Sequence, residues 1–224
     1  LPFVLRLLTA EEVGMNYLMV TISSMVMLID FGFGPQFGRN FSYVYSGAQT
    51  LYKQGVEQND EGQINYHLLA VLLKTAKQVY QYLSIVGLLL MLTLGTAYIY
   101  KITAGFSTVH HSLLIWIIYS CSIYFNFYYS YYTTLLTGCG MVAESNKATI
   151  LSRVVYIALV ILFLKTGFGL LGVVIANFIA PFVQRFYCYK VYFTDDLKEK
   201  IKGVITKEEI SRSEERFSRN AETD

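Results

Sequence analysis

Apolar residues in this chain come in long blocks, and charge is confined to the gaps between them. Residues 102–143, between Lys101 and Glu144, contain no Asp, Glu, Lys or Arg, and residues 78–100 and 166–184 are also free of charge. About 20 apolar residues span the hydrocarbon core of a bilayer, whereas a soluble helix has no use for so long an apolar run. The pattern predicts five membrane-spanning helices, over residues 13–31, 79–100, 113–136, 148–164 and 170–189. Asp30 closes the first, and Gly32, Gly34 and Pro35 break the helical pattern behind it. Arg153 lies about one turn inside the fourth, and Pro181 lies inside the fifth, where neighbouring helices can satisfy the freed carbonyl. Lys165-Thr-Gly-Phe-Gly169 reads as a tight turn that makes the fourth and fifth spans antiparallel neighbours.

The intervening segments differ in character. Residues 46–63 are polar, carry Lys53, Glu57, Asp60 and Glu61, and show no strong period. In residues 64–77, Ile64, Leu68, Val71 and Leu72 share one helical face with Lys74 and Lys77 near its edge. Two readings fit equally: a helix lying in the membrane surface, or an extension of the second span into water. From Thr194 to Asp224, 16 of 31 residues are charged. Leu197, Ile201, Val204 and Ile205 hold helical spacing, which predicts a second surface helix. Beyond Ser211 nothing apolar repeats, and disorder is expected. The expected architecture is all-α: a polytopic helix bundle over residues 1–193, then a charged tail or linker over 194–224.

Composition agrees with membrane insertion. Apolar residues make up 54% of the chain, charged residues 15%, and the mean hydropathy is +0.42; an average soluble domain carries about 25% charged residues. The 19 Tyr suit membrane–water interfaces. Basic residues fall mostly on one side of the predicted topology: Arg39, Lys53, Lys74, Lys77, Lys147, Arg153, Arg185, Lys190, Lys198, Lys200 and Lys202 against Arg6, Lys101 and Lys165. The positive-inside rule places the first group, and the C-terminal tail, in the cytoplasm. The start at Leu1 has no basic n-region and no cleavage site, so it is not a signal peptide. An outside N-terminus without a signal sequence is expected to have a further span upstream, as in a piece of a longer chain.

The chain shows no enzyme signature: no HExxH, GxSxG or P-loop, and no paired carboxylates at a plausible site. No catalytic residue, metal site or cofactor is expected. Adjacent residues on a helix point about 100° apart, so His110 and His111 read as a solvated pair and not a chelate. Cys121, Cys139 and Cys188 form no CxxC and read as packing residues. The most specific stretch is Leu28–Asn40. There Asp30 and Arg39 bracket a glycine-rich apolar run at the inner end of the first span. An ionisable group beside hydrocarbon should face a cavity or a partner. Asp30 therefore reads either as lining a cavity that meets an anionic headgroup or coupling ion, or as an ordinary helix end; Arg39 reads better as an interfacial anchor. In the third span Tyr124, Tyr128 and Tyr131 stack at i, i+4 and i+7. Their faces suit sugar rings, though they read better as helix packing plus an inner interfacial belt. Asn126, at mid-membrane, is expected to bond a neighbouring helix.

Two stretches together carry a resemblance: Leu-Pro-Phe-Val-Leu-Arg-Leu-Leu-Thr-Ala-Glu-Glu-Val-Gly14 and the run Asp30, Phe31, Gly32, Phe33, Pro35, Arg39 and Asn40. They resemble the polysaccharide flippases of the multidrug/oligosaccharidyl-lipid/polysaccharide exporter superfamily. More narrowly, they are similar to O-antigen (O-unit) flippases, and the likeness extends to about residue 205. In that family the DFGF…P…RN run closes the second span at the cytoplasm. The resemblance implies a bacterial inner-membrane transporter with two helical lobes, of which this sequence would hold spans two to six. It implies movement of a polyprenyl (undecaprenyl) diphosphate-linked oligosaccharide from the inner to the outer leaflet by alternating access, without ATP hydrolysis. The implied partners are the bilayer, that lipid-linked sugar and other polysaccharide-assembly proteins, with no nucleic acid. Arg153, Arg185 and Arg39 become the candidate cations for the diphosphate. Other expectations stay open: a drug/ion antiporter of the same superfamily, for which Asp30 is the available acid, a membrane-embedded polymerase or glycosyltransferase of polysaccharide synthesis, and a non-catalytic membrane scaffold.

Overall fold

The computed structural model describes residues 7–30, 32–51, 56–58, 63–106, 109 and 111–202. The segment before Leu7, Phe31, His110 and everything past Lys202, including Val204, Ile205 and the tail beyond Ser211, lie outside the described residues.

Among the described residues the regular structure is helical apart from one small hairpin. Helix α1 covers Ala10–Met27, continues as a 3₁₀ turn Leu28–Asp30, and is followed by α2, Phe33–Tyr45. Strands β1, Ala48–Leu51, and β2, Val56–Gln58, pair antiparallel. Helix α3 runs from Tyr66 to Thr103 with one π-helical turn at Met91–Gly95. Then come α4, Ser112–Gly138; α5, Val142–Lys165; α6, Gly169–Tyr192; and the short α7, Asp195–Lys202. Among the described residues five helices are long and apolar enough to cross a membrane: α1 with its 3₁₀ turn, α3, α4, α5 and α6. The protein is a multi-pass membrane helix bundle.

Local chemistry explains the ends. Thr9 and Glu12 form a reciprocal capping box at the start of α1. Asn65 Oδ1 accepts the Leu68 N–H at 3.0 Å and caps α3, while its Nδ2 reaches Gln49 Oε1 of β1 at 3.3 Å. Helices α4 and α5 both stop in the same way. The Met141 N–H bonds Leu136 O at 2.8 Å across Gly140 (φ 79°), and the Phe168 N–H bonds Phe163 O at 3.1 Å across Gly167 (φ 83°). This is the Schellman arrangement, which needs a left-handed residue after the helix and so selects glycine. In the second case the Phe163 and Phe168 rings close the turn at 5.7 Å.

Residues 64–77, for which two readings fitted, are resolved in favour of the extension: α3 is one helix of 38 residues, about 57 Å long. Leu69, Ala70, Val71 and Leu72 are all buried in succession, so this segment has no single apolar face to lay on lipid. The short amphipathic helix is instead α2, which buries Phe37, Phe41 and Val44 at i, i+4 and i+7. The first part of the helix expected in the tail is present as α7, with Lys200 bonding Asp196 at 2.8 Å.

The chain divides into two compact units. The first contains Leu1–Phe31, Tyr80–Ser130 and Asn146–Tyr187. Its core gathers Met15, Met19, Met91, Ile99, Trp116, Val160, Leu170 and Val174. Close glycine contacts set its helix packing: a Cβ at Gly87 would lie 2.8 Å from Val26, and one at Gly95 would lie 2.5 Å from the Trp116 ring. Trp116 Nε1 donates to Thr96 Oγ1 at 3.0 Å. The second unit contains Gly32–Val79, Tyr131–Ser145 and Cys188–Asp224. There a Cβ at Gly138 would sit 2.5 Å from the Gly38 carbonyl oxygen, so α2 and the end of α4 touch backbone to backbone.

Candidate functional site

The Leu28–Asn40 stretch folds as a helix break. Gly32 takes a left-handed conformation (φ 88°) that ends one helix and begins the next. Pro35 occupies the third residue of α2, within the first turn where a missing N–H breaks no ladder bond. Asp30 is half-buried at the end of the 3₁₀ turn in the first unit. Arg39 is exposed on α2 in the second unit, with Asn40 half-buried beside it and Phe33 stacked on Phe37 at 6.5 Å. Phe31, the remaining member of the run, lies outside the described residues.

The tyrosine stripe divides. Tyr124 and Tyr128 are half-buried and stack at 6.1 Å. Tyr131 is buried and pairs with Tyr132 at 4.3 Å. Asn126 is half-buried on α4. The amide that bonds a neighbouring helix is Asn177 of α6, which donates to the buried Ser122 of α4 at 2.9 Å.

Arg153 and Arg185 are both exposed, on α5 and α6. These helices run antiparallel: Ser152 Oγ donates to the Ala180 carbonyl at 2.8 Å, beside Pro181 inside α6, and Gln184 Nε2 donates to Thr149 Oγ1 at 3.2 Å. Arg185 donates to the Tyr129 hydroxyl at 2.9 Å, and its guanidinium carbon lies 4.8 Å from the centre of that ring. Phe125, Phe178 and Phe182 pack below Tyr129, with Phe125 and Phe182 centroids 4.9 Å apart. Tyrosine thus holds the arginine by hydroxyl and π-face together.

Two constellations went unread in the sequence. Glu12 not only caps its own helix; its Oε1 also accepts the Leu170 N–H at the start of α6 at 2.9 Å. The Thr9-x-x-Glu12 spacing signals the first role but not the second. In the second unit Tyr45 and Tyr192 share a hydroxyl hydrogen bond of 2.9 Å, and the Cys139 thiol reaches Tyr192 Oη at 3.9 Å. Burial pushes the Cys139 thiol up to about 11 and the Tyr45 phenol well above its usual range. These residues are 147 and 53 positions apart in the chain, so no spacing rule connects them.

The site-level features are therefore a helix break flanked by an acid and a base, an aromatic-backed arginine, and a second exposed arginine on the antiparallel neighbour. No family model, curated protein or solved structure matches the chain.

Proposed function

We propose that this protein moves a lipid-linked oligosaccharide, a polysaccharide precursor, between the leaflets of a bacterial inner membrane, in the manner of O-antigen flippases. The observation that carries this reading is the run from Asp30 to Asn40, whose residues resemble the flippase pattern in order. The helix break at Gly32 supports it, because a break at the membrane edge lets polar backbone and side chains face a water-filled path without exposure to lipid. The five apolar helices supply the membrane setting. In the proposed cycle the sugar and diphosphate cross in a polar path while the polyprenyl chain stays in the bilayer. Asp30 and Arg39 are the ionisable residues that bracket the break in the sequence.

The test is reconstitution of the protein encoded by the intact reading frame into liposomes that carry polyprenyl diphosphate-linked oligosaccharide in one leaflet. Exposure of the sugar to an added, membrane-impermeant glycosidase should be faster than in empty liposomes. It should fall about tenfold for Asp30→Asn and for Gly32→Ala, which forces a Cβ into the left-handed region. Sugar exposure at the rate of empty liposomes, with the protein folded, would overturn the reading.

A further inference from the structure

Arginine inside an apolar span needs a reason to be there, and Arg153 and Arg185 share their surroundings. The hydrogen bonds from Ser152 to Ala180 and from Gln184 to Thr149 fix the register of α5 against α6. Each arginine follows one of these interface residues directly: Arg153 after Ser152, Arg185 after Gln184. On two antiparallel right-handed helices that face each other, the next residue of each turns to the same flank. The register offsets the two arginines by about five residues, roughly 8 Å along the axis. Two flexible guanidinium arms at that offset can close on one phosphate. Arg185 is held by the Tyr129 hydroxyl and ring. Arg153 is exposed, and its helical neighbours at i−3 and i+4, Ile150 and Ile157, are 63% and 55% exposed. The flank therefore joins a pair of cations to an open apolar stripe. A free anion would have no use for the stripe, whereas a lipid uses both.

We propose that Arg153 and Arg185 bind the phosphate of an acidic glycerophospholipid, whose acyl chain lies along Ile150 and Ile157. Guanidinium groups suit the task, since they bind phosphate oxygens in pairs, and basic clefts between spanning helices on the positively charged side of a membrane recognise such headgroups. The site is independent of the transport reading: it holds a resident lipid whether or not a sugar is moved.

The experiment compares the full chain in nanodiscs of phosphatidylcholine with and without phosphatidylglycerol. Unfolding is followed through Trp116, the single tryptophan, and retained lipid is counted by native mass spectrometry. The expected results are a rise of about 3 °C in the apparent midpoint with phosphatidylglycerol and one retained phosphatidylglycerol. The double variant Arg153→Gln/Arg185→Gln should lose both, and Lys165→Gln, at the other end of α5, should keep both. Should the double variant fail to fold, Arg153→Lys and Tyr129→Phe carry the test, each retaining less phosphatidylglycerol than the wild type. Equal midpoints in the two lipid mixtures would overturn the proposal. So would undiminished retention by the variants, the same rise from inorganic phosphate in detergent, or a response confined to polyprenyl diphosphate.

Discussion

Trp116 has no exposed surface, and Gly95 lies under it without a side chain. Replacing Gly95 by Ala would force a Cβ to within 2.5 Å of the indole, and overpacking of this kind costs about 1–3 kcal/mol. The expected outcome is a lower unfolding midpoint with a shifted tryptophan emission, and an unchanged spectrum would refute the packing argument. A second residue-level expectation concerns Cys139. Its thiol titrates near 9 when unfolded and is pushed up to about 11 by burial in the fold. The folded state thus keeps a proton that the unfolded state releases, so this residue's contribution to stability is intact below pH 9 and declines as pH rises toward 11. In a Cys121→Ser/Cys188→Ser background, maleimide labelling of Cys139 at pH 8 should run well below the rate of a free thiol and climb steeply above pH 10. A rate equal to free cysteine at pH 8 would show that the thiol is not shielded. Neither residue advertises its role in the sequence: Cys139 reads there only as a packing residue, and the contact between Gly95 and Trp116 is made in space.

Among elements, the junction of α1 and α6 binds two helix starts with one carboxylate. Glu12 accepts from the Thr9 N–H at 2.9 Å and from the Leu170 N–H at 2.9 Å. Each bond satisfies a donor that a helix N-terminus leaves open, and the negative charge complements both helix dipoles. Gly169 (φ 53°) must lack a side chain, because a Cβ there would collide with Glu12 Oε1. Glu12→Ala should destabilise the fold by about 1–2 kcal/mol, and Gly169→Ala should do comparable damage by pushing the carboxylate away. The double variant should cost less than the sum of the two, which thermal melts of all four proteins can measure; simple additivity would deny the shared contact. The sequence marked all five spans because length and apolarity alone define them. It misplaced their ends where the helix continues past the uncharged run, as in residues 66–78 of α3, since periodicity cannot separate an overlong span from a surface helix. The hairpin of β1 and β2 was missed in a stretch whose polar residues carry no two-residue alternation.

For the whole molecule, the alternation of crossings puts the turn after α5 and the segment after α6 on opposite sides of the membrane. If the positive-inside rule holds here, the basic residues near Lys190 place the latter in the cytoplasm. Single cysteines at Lys165 and Thr194, in a background lacking the native three, should therefore differ in intact cells. An impermeant thiol reagent should label the first and spare the second, and the reverse pattern would invert the topology. The bundle itself was legible from charge-free runs. The arginine pair was legible only as two names, because the antiparallel register that places them on one flank comes from Ser152, Thr149, Ala180 and Gln184. One dimension of α3 has a final consequence. Its uncharged run between Lys77 and Lys101 measures about 34 Å and by itself fills a hydrocarbon slab of about 30 Å. The eleven residues from Tyr66 to Ala76 add about 17 Å of helix beyond that run, and Leu69, Ala70, Val71, Leu72 and Ala76 within it are buried by the rest of the protein. The rod therefore outlasts the slab it crosses, and its surplus length is clothed by protein in place of lipid.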